Sequence, residues 1–523
     1  MAGPGHRAFR PMHRITPDAP HALFDTAATR RIERAALEAL PPGTLMERAG
    51  RAVARLALAL APHARRTWIA CGAGNNGGDG LEAALHLHRQ GRAVQVTWLG
   101  TLGKAPRDAR RAWERAVAAG VPFTGGPPPG LGPGDLCIDA LLGIGLAPRP
   151  GAGQPPDARL AALLAVLRES PAPLLCVDGP SGLLADTGQY LPGLEPSPTT
   201  TAPAARHTLA LLTAKPGWFT GLGRDAAGTV WLDDLGVEAD AHGETATARL
   251  AAPAQRPPRA HASHKGSHGD VAVVGGEAKS ARGMGMTGAA LLAASAALHG
   301  GAGRVMVALL EGDGDGLAVD PAQPECMLRR FEALPLGDAT VVCGCGGGEA
   351  VRGVLPRVLA AAPRLVLDAD GLNAVAADAA LAAQLRARGH GGLPSVLTPH
   401  PLEAARLLGT TTAAVQADRL GAARRLAEHS GCTVVLKGSG SIVAAPDGAA
   451  WINPTGNARL ATGGTGDVLA GLLGAYWAAR GSAPQAGLEA ALAACHAHGL
   501  AADRWPEGET LTASALARRL APG

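Results

Sequence analysis

Aromatic residues are scarce. They make up 3% of the 523-residue chain, with only two Tyr and five Phe. A core built around large rings is excluded, so Ala, Leu and Val must fill it, as Ala-rich helices on Val/Leu strands would. Charge is sparse too: 18% of residues are charged, and the formal net charge is +4. No basic stripe or polybasic cluster stands out, which argues against a nucleic-acid partner or a membrane surface. Eight cysteines in so long a chain do not make a disulfide scaffold. Cys71, Cys137, Cys176 and Cys432 lie in apolar strand-like runs and read as buried reduced thiols. Cys343 and Cys345 have no second Cys or His pair nearby, which argues against zinc. The N-terminal segment MAGPGHRAFRPMHRITPDAPHALF has no apolar signal region. The longest uncharged stretch, residues 283–303, is mostly Gly, Ala and Ser, too weakly apolar to span a bilayer. A cytoplasmic protein with a disordered tail over residues 1–22 is expected.

The length and a 47% hydrophobic content predict two to four domains. Residues 25–60 read as helices; Leu45, Ala49, Val53, Leu56 and Leu60 form one apolar stripe. Strand-like and helix-like runs then alternate. TWIAC (67–71), AVQVTWL (93–99), DLCIDAL (135–141) and PLLCV (173–177) read as strands, with helices over 81–90, 107–119 and 158–168. Residues 239–262 are Ala/Pro/His/Arg-rich, lack strand signals and read as a linker. A second alternating pattern follows, with strands over 270–274, 304–308, 339–342, 364–367, 395–397 and 433–436 and helices over 287–299 and 468–479. Such alternation predicts an α/β chain of two three-layer αβα domains, each on a largely parallel sheet, over 23–238 and 263–523.

In the first half, TWIAC runs into Gly72-Ala73-Gly74-Asn75-Asn76-Gly77-Gly78-Asp79-Gly80. A G-x-G-x-x-G turn after a strand suits an anion on helix N-terminal amides. The second strand ends Trp98-Leu99-Gly100 with no acid to grip a ribose, which argues against an ordinary dehydrogenase. The side chains of Asn75, Asn76 and Asp79 instead add oxygen donors. Asp139 ends a further strand before Leu142-Gly143-Ile144-Gly145, and Asp178 another before Gly179-Pro180-Ser181-Gly182. Strand C-termini share one edge of a parallel sheet, so these groups should converge. Oxygen clusters suit hard cations, and a carboxylate left free can serve as general acid or base.

GAGNNGGDG, IDALLGIGL and VDGPSGL resemble the motifs of the YjeF N-terminal family, the NAD(P)H-hydrate epimerases, over roughly 25–236. The resemblance implies a Rossmann-like domain in which Asn76, Asp139 and Ser181 hold K⁺. It further implies that Asn75, Asn76, Gly77, Gly78, Asp79, the loop Gly143, Ile144, Gly145, Leu146, Ala147, Pro148 and Arg149, and Asp178 contact the hydrate. Asp178 is the implied catalytic acid/base. Ile144 and Gly179 depart from the usual Thr and Ile.

In the second half, Ala461-Thr462-Gly463-Gly464-Thr465-Gly466-Asp467 opens an apolar helix. Glycines let backbone N–H groups point at one anion, and Asp467 beside them could take a proton as a phosphoryl group arrives. With HKGSHGD (264–270), MTGAA (286–290), TPHPLE (398–403) and KGSGS (437–441), the segment is similar to the ADP-dependent NAD(P)H-hydrate dehydratase family, over about 260–520. That implies a ribokinase-like domain. Ala289, Gly348, His400 and catalytic Asp467 would contact the hydrate, and Lys437, Gly438, Ser439, Gly440, Ser441 and Gly466 would contact ADP. CGCGGG (343–348) stands where a GPGLG-like turn is usual, and Ala458-Arg459-Leu460 where Pro-Gly-Met is usual.

Together the halves imply a nicotinamide-nucleotide repair enzyme. It would epimerise the R and S hydrates of NADH and NADPH (NADHX, NADPHX) and dehydrate the S form at the expense of ADP with Mg²⁺. A homo-oligomer without nucleic-acid or membrane partners is expected. A ribokinase-type small-molecule kinase and a non-catalytic N-terminal binding module are the alternative classes.

Overall fold

The computed structural model describes residues 12–146, 157–197, 205–239, 243–254, 260–279, 283–310, 317–483 and 485–522. The chain divides into two compact units. One holds His21–Ala248 and the segment ending at Thr16; the other holds Pro17–Pro20 and Arg249–Gly523.

The first unit carries strands β1 (His13–Arg14), β2 (His21–Leu23), β3 (Thr67–Cys71), β4 (Val94–Trp98), β5 (Phe123–Thr124), β6 (Leu136–Ala140), β7 (Leu174–Val177), β8 (Arg206–Leu211) and β9 (Thr229–Asp233). Eight of them form a sheet ordered β1-β9-β8-β7-β6-β3-β4-β5. Every pairing is parallel except β1 with β9. The central strands β3, β6 and β7 are buried along their whole length, as strands covered on both faces must be. Helices α1 (Thr26–Ala39), α2 (Thr44–Leu60), α3 (Asn75–Arg89) and α4 (Arg107–Ala118) supply one apolar layer, through Ile32, Val53, Leu81 and Ala112. Helix α5 (Ala158–Glu169) packs Leu163, Leu164 and Leu167 against Trp68 and Cys137. Each such fully buried aliphatic side chain contributes roughly 1.5–3 kcal/mol.

The second unit, from Arg249, takes in the last two residues of β10 (Ala248–Leu250), followed by β11 (Asp270–Gly275), β12 (Arg304–Leu309), β13 (Met327–Leu328), β14 (Thr340–Cys343), β15 (Arg364–Leu367), β16 (Ser395–Leu397), β17 (Thr433–Leu436), β18 (Ile442–Ala444) and β19 (Ala450–Ile452). Their order is β13-β12-β11-β14-β15-β16-β17-β18-β19-β10. The run from β13 to β17 is parallel, and β18 is antiparallel to both its neighbours. Helix α6 (Thr287–His299) packs on α7 (Thr465–Arg480), where a methyl on Gly471 would overlap the carbonyl of Ala293. That contact explains a glycine inside an apolar helix.

Three expectations need correction. Residues 1–11 lie outside the described residues, but 12–22 are ordered. His13 and Arg14 pair with Leu232 and Trp231, and His496 Nε2 lies 3.2 Å from Pro17 O. A two-residue edge strand is held by backbone groups and needs no hydrophobic periodicity. Residues 239–262 are not all linker: Arg249 and Leu250 pair in parallel with Trp451 and Ile452. The helix expected from Leu81 begins at Asn75, so the glycine-rich segment forms its first turns.

Candidate functional sites

The first sheet reverses direction between β3 and β6, since the chain builds β4 and β5 to one side and β7 to β9 to the other. Ligands bind outside the strand C-termini at such reversals. A cleft of ≈ 470 Å³ opens there, lined by Asn75, Asn76 and Asp79 of α3, by residues 141–146 after β6 and by Asp178 after β7. Glycine brings α3 in close: a methyl on Gly80 would lie 2.6 Å from Ala140 Cβ, and one on Gly77 would overlap the carbonyl of Gly72.

Asp178 has a φ of 52°, and Gly179 follows at 116°. A non-glycine residue there costs of order 1–3 kcal/mol and persists only where surroundings hold it. Lys215 Nζ donates to Asp178 Oδ1 at 2.7 Å, and the Leu211 N–H donates to the same oxygen at 3.1 Å. Burial pushes the Asp178 carboxyl above its ordinary range, and Lys215 pulls it back. Asp79 is pushed well up by burial and then by Asp178, and Glu33 is raised by the same two causes.

Beside this cleft, Asp139 is buried and forms no ion pair among the described residues. The Ser181 N–H donates to its Oδ2 at 3.0 Å, and the Ser181 hydroxyl can donate to its Oδ1 at 2.5 Å. Burial raises its carboxyl; the Ser181 and Leu141 hydrogen bonds lower it, as does the charge of Arg168. Asn76 Nδ2 donates to Val177 O at 2.6 Å, leaving Asn76 Oδ1 buried with no partner among the described residues. A buried unsatisfied acceptor costs about 1–3 kcal/mol. An unpaired carboxylate and an orphan amide oxygen fit a hard cation.

The second sheet reverses between β11 and β14. The turns after these strands interlock: the Gly276 N–H donates to Cys345 O at 2.9 Å, and that of Glu277 to Gly346 O at 2.6 Å. Gly348, at φ 53°, donates its N–H to Asp370 Oδ2 at 2.9 Å. After β15, Asp368 is buried and accepts from Lys437 Nζ at 2.6 Å. After β16, His400 caps a short helix (Pro401–Leu407): its Nδ1 accepts from the N–H groups of Leu402 and Glu403, while Glu403 Oε2 accepts from the His400 N–H at 2.7 Å. Asp467 lies in the first turn of α7, behind Gly464 at φ 89°. Donor atoms of Cys345, Asp368 and Asp467 lie within 4.8 Å of one another. Burial first, and Asp368 second, push Asp467 up to about 7; burial also takes Glu403 to about 7.

The family described as NAD(P)H-hydrate dehydratase matches residues 271–521, and the YjeF-related protein N-terminus matches 42–217. The bifunctional NAD(P)H-hydrate repair enzyme Nnr of Escherichia coli K12 is 36% identical over 506 residues, covering 92% of this chain and 90% of its own. This chain belongs to the bifunctional NAD(P)H-hydrate repair enzyme family. The ADP-dependent (S)-NAD(P)H-hydrate dehydratase of Neisseria meningitidis is 44% identical over 270 residues, covering 50% of this chain and 86% of its own. A Bacillus subtilis ADP/ATP-dependent NAD(P)H-hydrate dehydratase, crystallised with ATP/Mg²⁺, is 30% identical over 50% of this chain and 91% of its own, with a TM-score of 0.40.

Within this repair-enzyme framework, the structure brings most of the predicted residues together. Asn75, Asn76, Asp79, Gly143, Ile144, Gly145, Leu146 and Asp178 line one cleft, whereas Gly77 and Gly78 are buried packing positions. Ala147, Pro148 and Arg149 lie outside the described residues. Lys437 lies beside Gly466, where a methyl would be 3.4 Å from its Nζ. Gly438 (φ 137°) and Gly440 (φ 61°) shape the following turn, with the Ser441 hydroxyl donating to Gly438 O. Sequence reasoning did not single out Glu33, Asp368 or Glu403, nor the Lys215–Asp178 pair. Their signal is a pairing across distant segments, which spacing does not carry. Among the described residues no helix is long and apolar enough to cross a membrane.

Proposed function

We propose that this chain repairs hydrated nicotinamide coenzyme in two steps, the first unit interconverting the R and S forms of NADHX or NADPHX and the second dehydrating the S form with ADP. The observation that carries the reading is a carboxylate at the strand-end reversal of each of two units, in a chain belonging throughout to the repair-enzyme family. In the first cleft, Asp178 serves as acid/base. Asn75, Asn76, Asp79 and residues 143–146, which line that cleft, contact the hydrate. Asn76, Asp139 and Ser181 would hold K⁺, which supplies positive charge beside the loops that shape the cleft.

In the second unit, loss of hydroxide from the substrate is poor chemistry near neutral pH. Asp467 takes the hydroxyl proton while the oxygen attacks the terminal phosphoryl group of ADP, releasing AMP. The ring-nitrogen electron pair then expels the phosphate to leave an iminium, and loss of a proton from the adjacent ring carbon to water forms the ring double bond and returns the pair to nitrogen. Ala289, Gly348 and His400 contact the hydrate. Lys437 to Ser441 and Gly466 contact the nucleotide, near Asp368 and Asp467, two oxygen donors of the kind that fit Mg²⁺. Mg²⁺ would neutralise phosphate charge. Eight buried free thiols suit the reducing cytoplasm, and self-association is part of the reading.

A coupled absorbance assay on mixed hydrate with ADP and Mg²⁺ tests this. The wild type should regenerate the coenzyme completely. Asp467→Ala should regenerate none, and Asp178→Ala should convert the S fraction and leave the R fraction to slow spontaneous epimerisation. Equal loss in both variants would contradict the division of labour.

A further inference from the structure

Four carboxyl groups line the first cleft: Glu33 from α1, Asp79 from α3, Asp108 of α4 and Asp178 after β7. Arg30 of α1 lines it as well. Carboxyl groups packed together cannot all ionise, so something must decide which one carries the charge.

Lys215 has the geometry to decide it. Its side chain is fully buried, and its ammonium donates to Asp178 Oδ1 at 2.7 Å, Thr213 O at 2.8 Å and Leu211 O at 3.1 Å. All three of its N–H donors are therefore used, and it has none to offer a substrate. The Trp218 ring lies 5.0 Å from the same ammonium. Gly179 leaves room for that ring, since a methyl there would lie 3.1 Å from the indole. Asp178 Oδ1 is doubly occupied by Lys215 and the Leu211 N–H. Its Oδ2 makes no hydrogen bond among the described residues, and the side chain keeps 15% exposure. Asp79, by contrast, has no hydrogen-bond or ion-pair partner among the described residues.

We propose that Lys215 is a positioning residue for the epimerase, holding Asp178 as the ionised carboxylate with Oδ2 presented to the hydrate, while Asp79 and Glu33 keep their protons. This rests on the epimerase reading above and adds a residue and a role to it. Burial and then Asp178 raise both Asp79 and Glu33, with Lys215 pulling Glu33 back in part, whereas Asp178 is raised by burial alone and lowered chiefly by Lys215.

The test is a double-mutant cycle on the full-length protein, following R-to-S conversion by chromatography. Lys215→Met should lower kcat at neutral pH by about tenfold or more and move the acid limb of the profile up by at least about one pH unit, the shift equivalent to tenfold. KM should change little. In an Asp178→Asn background the same substitution should cost nothing further, because Lys215 would have nothing left to position. Lys215→Arg, which keeps the charge, should keep the acid limb in place and remains informative if Lys215→Met fails to fold. Equal losses for Lys215→Met in both backgrounds would overturn the proposal, as would an unmoved limb or a shifted limb in Lys215→Arg. If the wild type itself does not epimerise the hydrate, the underlying reading fails, and that outcome is distinct from these.

Discussion

Lys437 and Asp368 form a buried ion pair, with Nζ 2.6 Å from Oδ1 and the Asp368 side chain only 1% exposed. Glu403 Oε2 stands 4.0 Å from the same ammonium, and Gly466 of the phosphate-type turn lies against it. One cation thus ties the ends of β15, β16 and β17 to the start of α7. Lys437→Met should leave Asp368 buried and unpaired. Breaking one side of such a pair costs about 3–5 kcal/mol, which chemical denaturation of the second unit should report alongside loss of dehydration.

As the proposed base, Asp467 must be ionised to accept a proton, and burial, then Asp368, push its carboxyl up to about 7. Dehydration should therefore rise with pH through about 7. The stability sign is the reverse. Between its ordinary range and about 7, the folded state holds a proton that the unfolded chain has released, so this group lowers stability as pH rises. Asp467→Asn should abolish dehydration and at pH 8 raise the melting temperature by about 2–4 °C, equivalent to ~1 kcal/mol. Scanning calorimetry of both proteins at pH 5 and pH 8 checks this; the gain should shrink at pH 5.

Among the described residues Asn76 Oδ1 has no hydrogen-bond partner, and Asp139 accepts from Ser181 and Leu141 but forms no ion pair. Potassium should raise both epimerisation rate and thermal stability of the wild type, and a bulkier organic cation such as tetramethylammonium should not. Asn76→Ala should abolish the potassium response without abolishing Mg²⁺-dependent dehydration. Titrating KCl against choline chloride at fixed ionic strength gives the measurement.

Gly348 has a φ of 53°, and a methyl there would overlap the Glu277 carboxylate. Gly348→Ala should cost about 1–2 kcal/mol from backbone conformation alone, with more from displacing Glu277, which also accepts the Ala350 N–H. The expected result is a raised KM for hydrate and a lower denaturation midpoint. Gly353, whose added methyl meets nothing within 4 Å, serves as the control.

The sequence made the strands that carry the sites legible, because each is a short apolar run closed by a polar or glycine-rich turn. TWIAC is β3 as read, and residues 287–299 are α6 as read. Asp139 and Asp178 were found because each ends or directly follows a buried strand. The start of α3 was not legible, since Asn-Asn-Gly-Gly-Asp-Gly has poor intrinsic helix propensity. Its helical form is fixed by close packing on Gly72, Cys71 and Ala140, which no local pattern reveals. Lys437 stood inside the KGSGS segment, yet its partner Asp368 lies 69 residues away, and Lys215 lies 37 residues from its partner Asp178. The short strands at His13 and Ala248 were missed because backbone pairing alone defines them.

The first two turns of α3 press so tightly on the strands beneath that not even one carbon can be added at Gly77 or Gly80. Errors at these positions should surface as a protein that fails to accumulate, and a slower enzyme would seldom be recovered. Inherited adjustment of this cleft toward a different coenzyme must then come from the loops after β6 and β7, because the helix has no slack to give.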